Sequence, residues 1–206
     1  MFGYNTLVVA MVSQKGGAGK STLAANLAAY AVGKDAKTAI IDLDPQASLS
    51  TWHSLRDKED ITLFTLHPPL LTKKIAELKR DLYELIIIDT PPHNSTAAAN
   101  AINESDITLM PVRPSTFDLM AIQATFDLLG DNLGGVIINA VPSGTSIEES
   151  ATQFIKDSGV RVLSTVGQRI AFQHSANAGQ GVVEYESKGK AAKEITTIWR
   201  EIGELV

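Results

Sequence analysis

The sequence predicts an α/β fold: a doubly wound, mostly parallel sheet with helices on both faces. Three observations carry this. Apolar, β-rich runs recur at residues 7–12, 38–41, 61–66, 85–88, 107–112, 136–141 and 160–163. Several are continuous rather than alternating, as expected of strands covered on both faces. Helical patterns fall between them, which implies right-handed βαβ crossovers. A glycine-rich turn follows the first run directly, and ligands of such sheets bind at the C-terminal ends of the strands.

Taken in order, run 7–12 is a buried strand, and residues 23–30 (Leu-Ala-Ala-Asn-Leu-Ala-Ala-Tyr) continue from the glycine turn as a helix. Runs 38–41 and 85–88 are strands that end in carboxylates, at Asp42 and Asp89. Helical spacing joins Leu71, Ile75, Leu78 and Leu82, then Leu119, Ile122, Phe126 and Leu129, then Ile147, Ala151, Phe154 and Ile155. The segment 191–206 is a terminal helix carrying Ile195, Ile198, Trp199, Ile202 and Leu205. An interfacial membrane helix favours a lysine-rich polar face. Here Glu194, Glu201 and Glu204 offset Lys193 and Arg200, so the stripe is expected to dock on the sheet and not on a membrane. No repeat, low-complexity tract or linker interrupts the alternation, which predicts one domain over residues 1–206.

At 206 residues the chain can bury a substantial core. It has no cysteine, which excludes disulfides, cysteine-ligated zinc and cysteine-ligated iron–sulfur clusters. No apolar run approaches the roughly 20 residues needed to span a bilayer. Residues Met1-Phe2-Gly3-Tyr4-Asn5 lack the features of a signal peptide, so a cytoplasmic protein is expected. The net charge of −5 argues against a strongly basic nucleic-acid binder but leaves room for a local basic patch.

The chemistry concentrates in Lys15-Gly16-Gly17-Ala18-Gly19-Lys20-Ser21-Thr22. A tight turn here aims successive backbone N–H groups at phosphate oxygens, at the N-terminus of a helix. Lys20 would face the β- and γ-phosphates of a nucleotide, and Ser21 would hold Mg²⁺. The usual P-loop has glycine where this chain has Gln14, and it lacks a second lysine at the position of Lys15. Asp42 and Asp44, in Asp42-Leu43-Asp44-Pro45-Gln46, and Asp89, in Asp89-Thr90-Pro91-Pro92, end buried strands where a rigid carboxylate can bind hydrated Mg²⁺ or orient water.

This pattern resembles the deviant Walker A motif of the ParA/MinD ATPases, and Asp42–Gln46 is similar to that family's second signature. The resemblance implies ATP and Mg²⁺ as cofactors and Lys15 acting across an ATP-bound homodimer. It implies Asp44 as the positioner of attacking water, Asp42 in the Mg²⁺ shell and Asp89 as the Walker B aspartate. It further places Asn139 near adenine and residues 111–115 at the dimer face. ATP over GTP is implied by the family; no convincing guanine-specific N-K-x-D motif is present. Gln168-Arg169-Ile170-Ala171-Phe172, with Ala176, Gly179, Val182 and Glu184, resembles the C-terminal signature of short, ParF-like partition ATPases without an N-terminal helix-turn-helix domain.

By that resemblance the ATP dimer binds nonspecific DNA, and a small ParB/ParG-like adaptor stimulates hydrolysis. The cargo would be a plasmid or chromosome region, and the protein would be nucleoid-associated. The alternatives are a protein cargo such as carboxysomes or chemoreceptor clusters, a MinD-like membrane-recruited regulator, or a ligase resembling dethiobiotin synthetase. Residues 151–206 hold seven bases against six acids. Within them Lys188, Lys190 and Lys193, joined by Arg169, are the candidate DNA contacts, since such binding rests on several Lys/Arg–phosphate pairs.

Overall fold

A computed structural model describes residues 6–206; the signal-peptide reading of Met1–Asn5 lies outside the described residues. Seven strands form one sheet: β1 (Leu7–Met11), β2 (Thr38–Asp42), β3 (Ile61–Thr65), β4 (Leu85–Asp89), β5 (Ile107–Val112), β6 (Gly134–Val141) and β7 (Val162–Gly167). Their spatial order is β3-β2-β4-β1-β5-β6-β7, and every neighbouring pair is parallel. From β1 the chain steps past one position to β2 and out to β3, returns to insert β4 beside β1, then runs outward through β5, β6 and β7, a doubly wound sheet as the sequence predicted.

Alternate residues of each strand feed two cores. Leu7, Val9 and Met11 point to one face, where they meet α1 (Lys20–Val32), α2 (Ser48–Ser54), α9 (Val182–Tyr185) and α10 (Lys190–Gly203). Val8 and Ala10 point to the other, covered by α3 (Leu71–Arg80), α4 (Ser95–Glu104), α5 (Thr116–Ala121), α6 (Gln123–Leu129) and α7 (Ile147–Asp157). A further helix, α8 (Ile170–Asn177), follows β7. The apolar residues of β1, β2 and β4 are almost wholly buried, which explains their continuous apolar runs.

Several elements depart from expectation. Leu82 does not extend the α3 stripe: the helix ends at Arg80, Leu82 takes φ 60° and is 78% exposed. Its N–H bonds the Lys79 carbonyl and that of Tyr83 bonds Leu78, a left-handed helix stop in which a leucine occupies the usual glycine place. The 119–129 stripe is buried throughout but belongs to two short helices that meet at Ile122. In α7 only Ala151 and Ile155 are buried; Ile147 and Phe154 face out. The last strand lies at 162–167 instead of 160–163, though Arg161 still accepts a hydrogen bond from the Val136 N–H. The terminal helix docks as expected, with Ile195, Ile198 and Ile202 fully buried. Among the described residues no helix is long and apolar enough to cross a membrane.

Candidate nucleotide-binding and catalytic site

The site forms where β1, β2 and β4 end side by side. Asp42 and Asp89 are register partners on neighbouring strands, and Met11 of β1 pairs with Asp89. The loop from β1 into α1 needs its glycines: Gly17 has φ 74° and Gly19 φ 104°, the region that L side chains rarely adopt. Gly19 is further constrained because a Cβ there would overlap the amide of Asn139. Lys20 opens α1 and is buried, with Nζ 3.4 Å from the Ser13 carbonyl oxygen. Burial pulls its pKa down, while Asp89 and Asp44 pull it the other way.

The Ser21 hydroxyl donates to Asp89 Oδ2 at 2.5 Å. Asp42 Oδ1 accepts the Asp44 N–H at 2.9 Å, and Asp44 Oδ1 accepts that of Gln46 at 2.9 Å. Asp42 Oδ2 and Asp89 Oδ1 are buried with no hydrogen-bond partner. Burial raises the Asp42 pKa, and raises that of Asp89 to about 7 against the counter-pull of the Ser21 hydrogen bond. Two unpartnered, charge-starved carboxylate oxygens beside a serine hydroxyl form an all-oxygen donor set that fits Mg²⁺, a hard cation. Such an ion, when bound, neutralises phosphate charge. The predicted metal residues Ser21, Asp42 and Asp89 are thus brought together.

The cleft over the P-loop has a volume of about 520 Å³, within the usual range for small-ligand sites. It is lined by Gly16, Gly17, Gly19, Lys20, Ser21, Thr22 and Asp44, with Asn139 packed against the loop at Gly19. Ala18 is buried beneath the loop, and its carbonyl accepts the Asn139 Nδ2–H at 2.7 Å. Asn139 sits in an irregular stretch of β6, where Ala140 takes φ 54°, so the bulge turns the amide onto the P-loop. Lys15 stands half-exposed in a small recess outside the cleft, its Nζ 3.6 Å from Asp118 Oδ1. Asp118 is in turn fixed by Ser115, the N-cap of α5, whose hydroxyl donates to Asp118 Oδ2 at 2.6 Å.

The candidate DNA residues divide. Lys188, Lys190 and Lys193 are exposed around the start of α10. Arg169 is half-buried on the cleft wall and forks onto Glu194 of α10, Nη2 to Oε1 at 2.5 Å and Nε to both oxygens at 3.0 Å. Its charge is locally matched and it fastens α10 to the cleft.

Sequence reasoning missed Asp118 as the partner of Lys15, Glu194 as the partner of Arg169, and Gln173; it singled out Arg113 for the dimer face and Phe172 for a C-terminal signature, whereas both line the cleft. Only Asp118 carried a local signal, the Ser-x-x-Asp spacing of a helix cap. It also missed Asn26, whose Nδ2 donates to the Thr22 carbonyl within α1 and whose Oδ1 accepts the Val182 N–H, the bond that ties α1 to α9.

The family model of the CobQ/CobB/MinD/ParA nucleotide binding domain matches residues 9–182. Two proteins named maintenance of carboxysome distribution protein A are similar over nearly their whole length. That of Halothiobacillus neapolitanus is 27% identical, over 94% of this chain and 95% of its own. That of Gloeobacter kilaueensis is 30% identical, over 96% and 92%. Among solved structures, the ATP complex of a Cyanothece McdA variant shares the fold, with TM-score 0.83, 17% identity and 98% of both chains covered. The chain belongs to the CobQ/CobB/MinD/ParA nucleotide-binding family and is an ATPase of the ParA/MinD type.

Proposed function

We propose that this ATPase is a positioning device: ATP joins two copies, the dimer holds nonspecific DNA as a surface, and an adaptor on the cargo triggers hydrolysis and release. The observation that carries this reading is Lys15, a second P-loop lysine that does not line its own nucleotide cleft but lies half-exposed in a small recess beside Asp118. A lysine serving only its own nucleotide would be expected to line its own cleft.

In the proposed reaction Lys20 holds the β- and γ-phosphates in cis. Asp44, on the cleft wall with one oxygen engaged by Gln46, orients the attacking water through its other oxygen. Lys15 of each copy leaves its own Asp118 and stabilises the charge on the partner's nucleotide. Phosphoryl transfer needs chiefly such positioning and charge neutralisation.

Lys188, Lys190 and Lys193 supply the DNA contacts, and Arg169 sets the helix that carries two of them. Burial of Ile195, Ile198 and Ile202 leaves α10 without the apolar face that a membrane-recruited regulator would require. For the cargo, full-length likeness to two proteins named for carboxysome distribution favours a protein assembly. The second reading, plasmid or chromosome partition, is favoured by the ParF-like stretch 168–184 and by similarity to the chromosome partitioning protein ParA of Myxococcus xanthus, 23% identical over 95% of this chain.

The test is a DNA mobility shift with an Asp44→Ala variant, which should retain ATP, run with ATP, ADP or no nucleotide across a salt series. Binding to unrelated DNA with ATP alone, weakening steeply with salt, supports the reading. An ATP-bound dimer that ignores DNA refutes it. Neutralising Lys188, Lys190 and Lys193 together should flatten the salt slope.

A further inference from the structure

Arg113 lies on the short loop between β5 and α5, and β5 pairs with β1, so this loop runs beside the P-loop. Its Nη2 stands 3.8 Å from where a Cβ on Gly17 would be, and its side chain lines the nucleotide cleft. It also borders the small recess that holds Lys15 and Asp118. Every other cation of the cleft and the adjoining recess is already engaged. Lys20 is at the Ser13 carbonyl, Lys15 is paired with Asp118, and Arg169 with Glu194. Among the described residues Arg113 alone of these has neither ion pair nor hydrogen bond, and it is exposed. An unpaired guanidinium held over phosphate-binding glycines is suited to fork onto phosphate oxygens.

We propose that Arg113 is a further substrate-binding residue of the ATPase, contacting the terminal phosphate of the nucleotide held by its own P-loop. This rests on the ATPase reading and adds to it a residue that distinguishes ATP from ADP. Arg113 reaches the phosphate from the β5 side, opposite the buried Lys20, so that the γ-phosphate lies between two cations of one chain. With ADP bound, that contact is lost and the guanidinium returns to solvent.

The test is calorimetric titration of wild type, Arg113→Ala and Arg113→Lys with Mg²⁺ and either ADP or a non-hydrolysable ATP analogue. A charge-assisted hydrogen bond predicts a loss of about tenfold to a hundredfold in analogue affinity for Arg113→Ala. ADP affinity should change by less than about twofold, and Arg113→Lys should recover part of the loss. The same loss should persist in a Lys15→Ala background, where contact across a dimer is removed. Equal affinities of wild type and Arg113→Ala, or equal loss for both nucleotides, overturns the proposal. A loss that vanishes with Lys15→Ala also overturns it, because Arg113 would then serve the partner's nucleotide. Failure of the wild type to bind either nucleotide would instead refute the ATPase reading itself.

Discussion

Replacing Glu184 by Gln should cost this fold about 3 kcal/mol at neutral pH, and the cost should disappear in acid. Glu184 lies next to Arg56, whose side chain is only 1% exposed. The guanidinium donates from Nη1 to Glu184 Oε2 at 2.8 Å and from Nη2 to Oε1 at 2.9 Å. It donates further to Asp60 at 2.7 and 2.8 Å and to the Gly179 carbonyl at 3.1 Å. Glu184 also accepts from the Gly181 N–H and from Lys58, both at 2.9 Å. Burial alone would raise the Glu184 pKa, but the bonds from Arg56, Gly181 and Lys58 outweigh it and hold the pKa at about 2, against 4.5 in a free chain. At about 1.4 kcal/mol per pH unit, that gap corresponds to about 3 kcal/mol. Removing one partner of a buried pair costs a similar 3–5 kcal/mol or so; Asp60, which stays with Arg56, holds the figure at the lower end.

The sign follows from the depressed pKa. The charged carboxylate stabilises the fold above pH 4.5, and that stabilisation fades as pH falls from 4.5 to about 2. Urea unfolding of wild type and Glu184→Gln at pH 7, 5, 4 and 3 measures it. The gap between the two should be full at pH 7 and 5 and should narrow below 4.5. A gap under about 1 kcal/mol at pH 7, or one that does not change with pH, would show that this network does not hold the chain together.

Two further substitutions probe the site. Gly19→Ala should abolish nucleotide binding and lower stability by about 1–2 kcal/mol, because φ 104° strains an alanine and its Cβ meets the Asn139 amide. Adding Asn139→Gly should return part of the stability, the portion due to the clash, which a double-mutant thermal unfolding cycle reads directly. Asp89→Asn should stabilise the nucleotide-free protein at pH 8 by up to about 4 kcal/mol while destroying Mg²⁺-dependent turnover. The raised pKa of about 7 means that ionising Asp89 costs the folded state progressively as pH climbs from about 4 to 7. The gain should therefore be absent at pH 4, and calorimetry at both pH values checks it.

What the sequence showed and what it hid follow from the range of each interaction. The clustering of the P-loop with Asp42, Asp44 and Asp89 was legible because each candidate lies in a few contiguous residues at or just beyond the end of a buried strand. The central strands were legible because burial on both faces forces unbroken apolar runs. Strand β7 was misplaced because it is an edge strand, half-buried for most of its length, with Ser164 and Thr165 inside it. Leu82 misled because its spacing fits a helix while its backbone stops one. Helices α8 and α9 gave no periodic stripe, since each is short and buries only one residue fully. The Arg56–Glu184 pair was invisible because its members are 128 positions apart and each, taken alone, reads as an ordinary surface charge.

The same long-range contacts bear on how ATP could control a DNA-binding face. Asn26 bonds the P-loop helix α1 to Val182, and Glu184 fastens that segment to Arg56, just beyond α2. Ile195, Ile198 and Ile202 seal α10 into the core that α1 shares, and Arg169 pins α10 to the cleft wall through Glu194. Cleft and lysine cluster are thus tied to the same core among the described residues, contacts that oppose a hinge between them. These contacts favour control from outside the single chain. Residues 151–206 exceed their acids by one base, so one copy offers DNA little beyond a weak patch. Two copies joined through Lys15 and ATP would double the phosphate contacts, and the salt slope would rise with them. On this argument a Lys15→Ala chain keeps its weak DNA affinity unchanged by nucleotide. A chain that switches on DNA while remaining monomeric would require a conformational route that these contacts oppose.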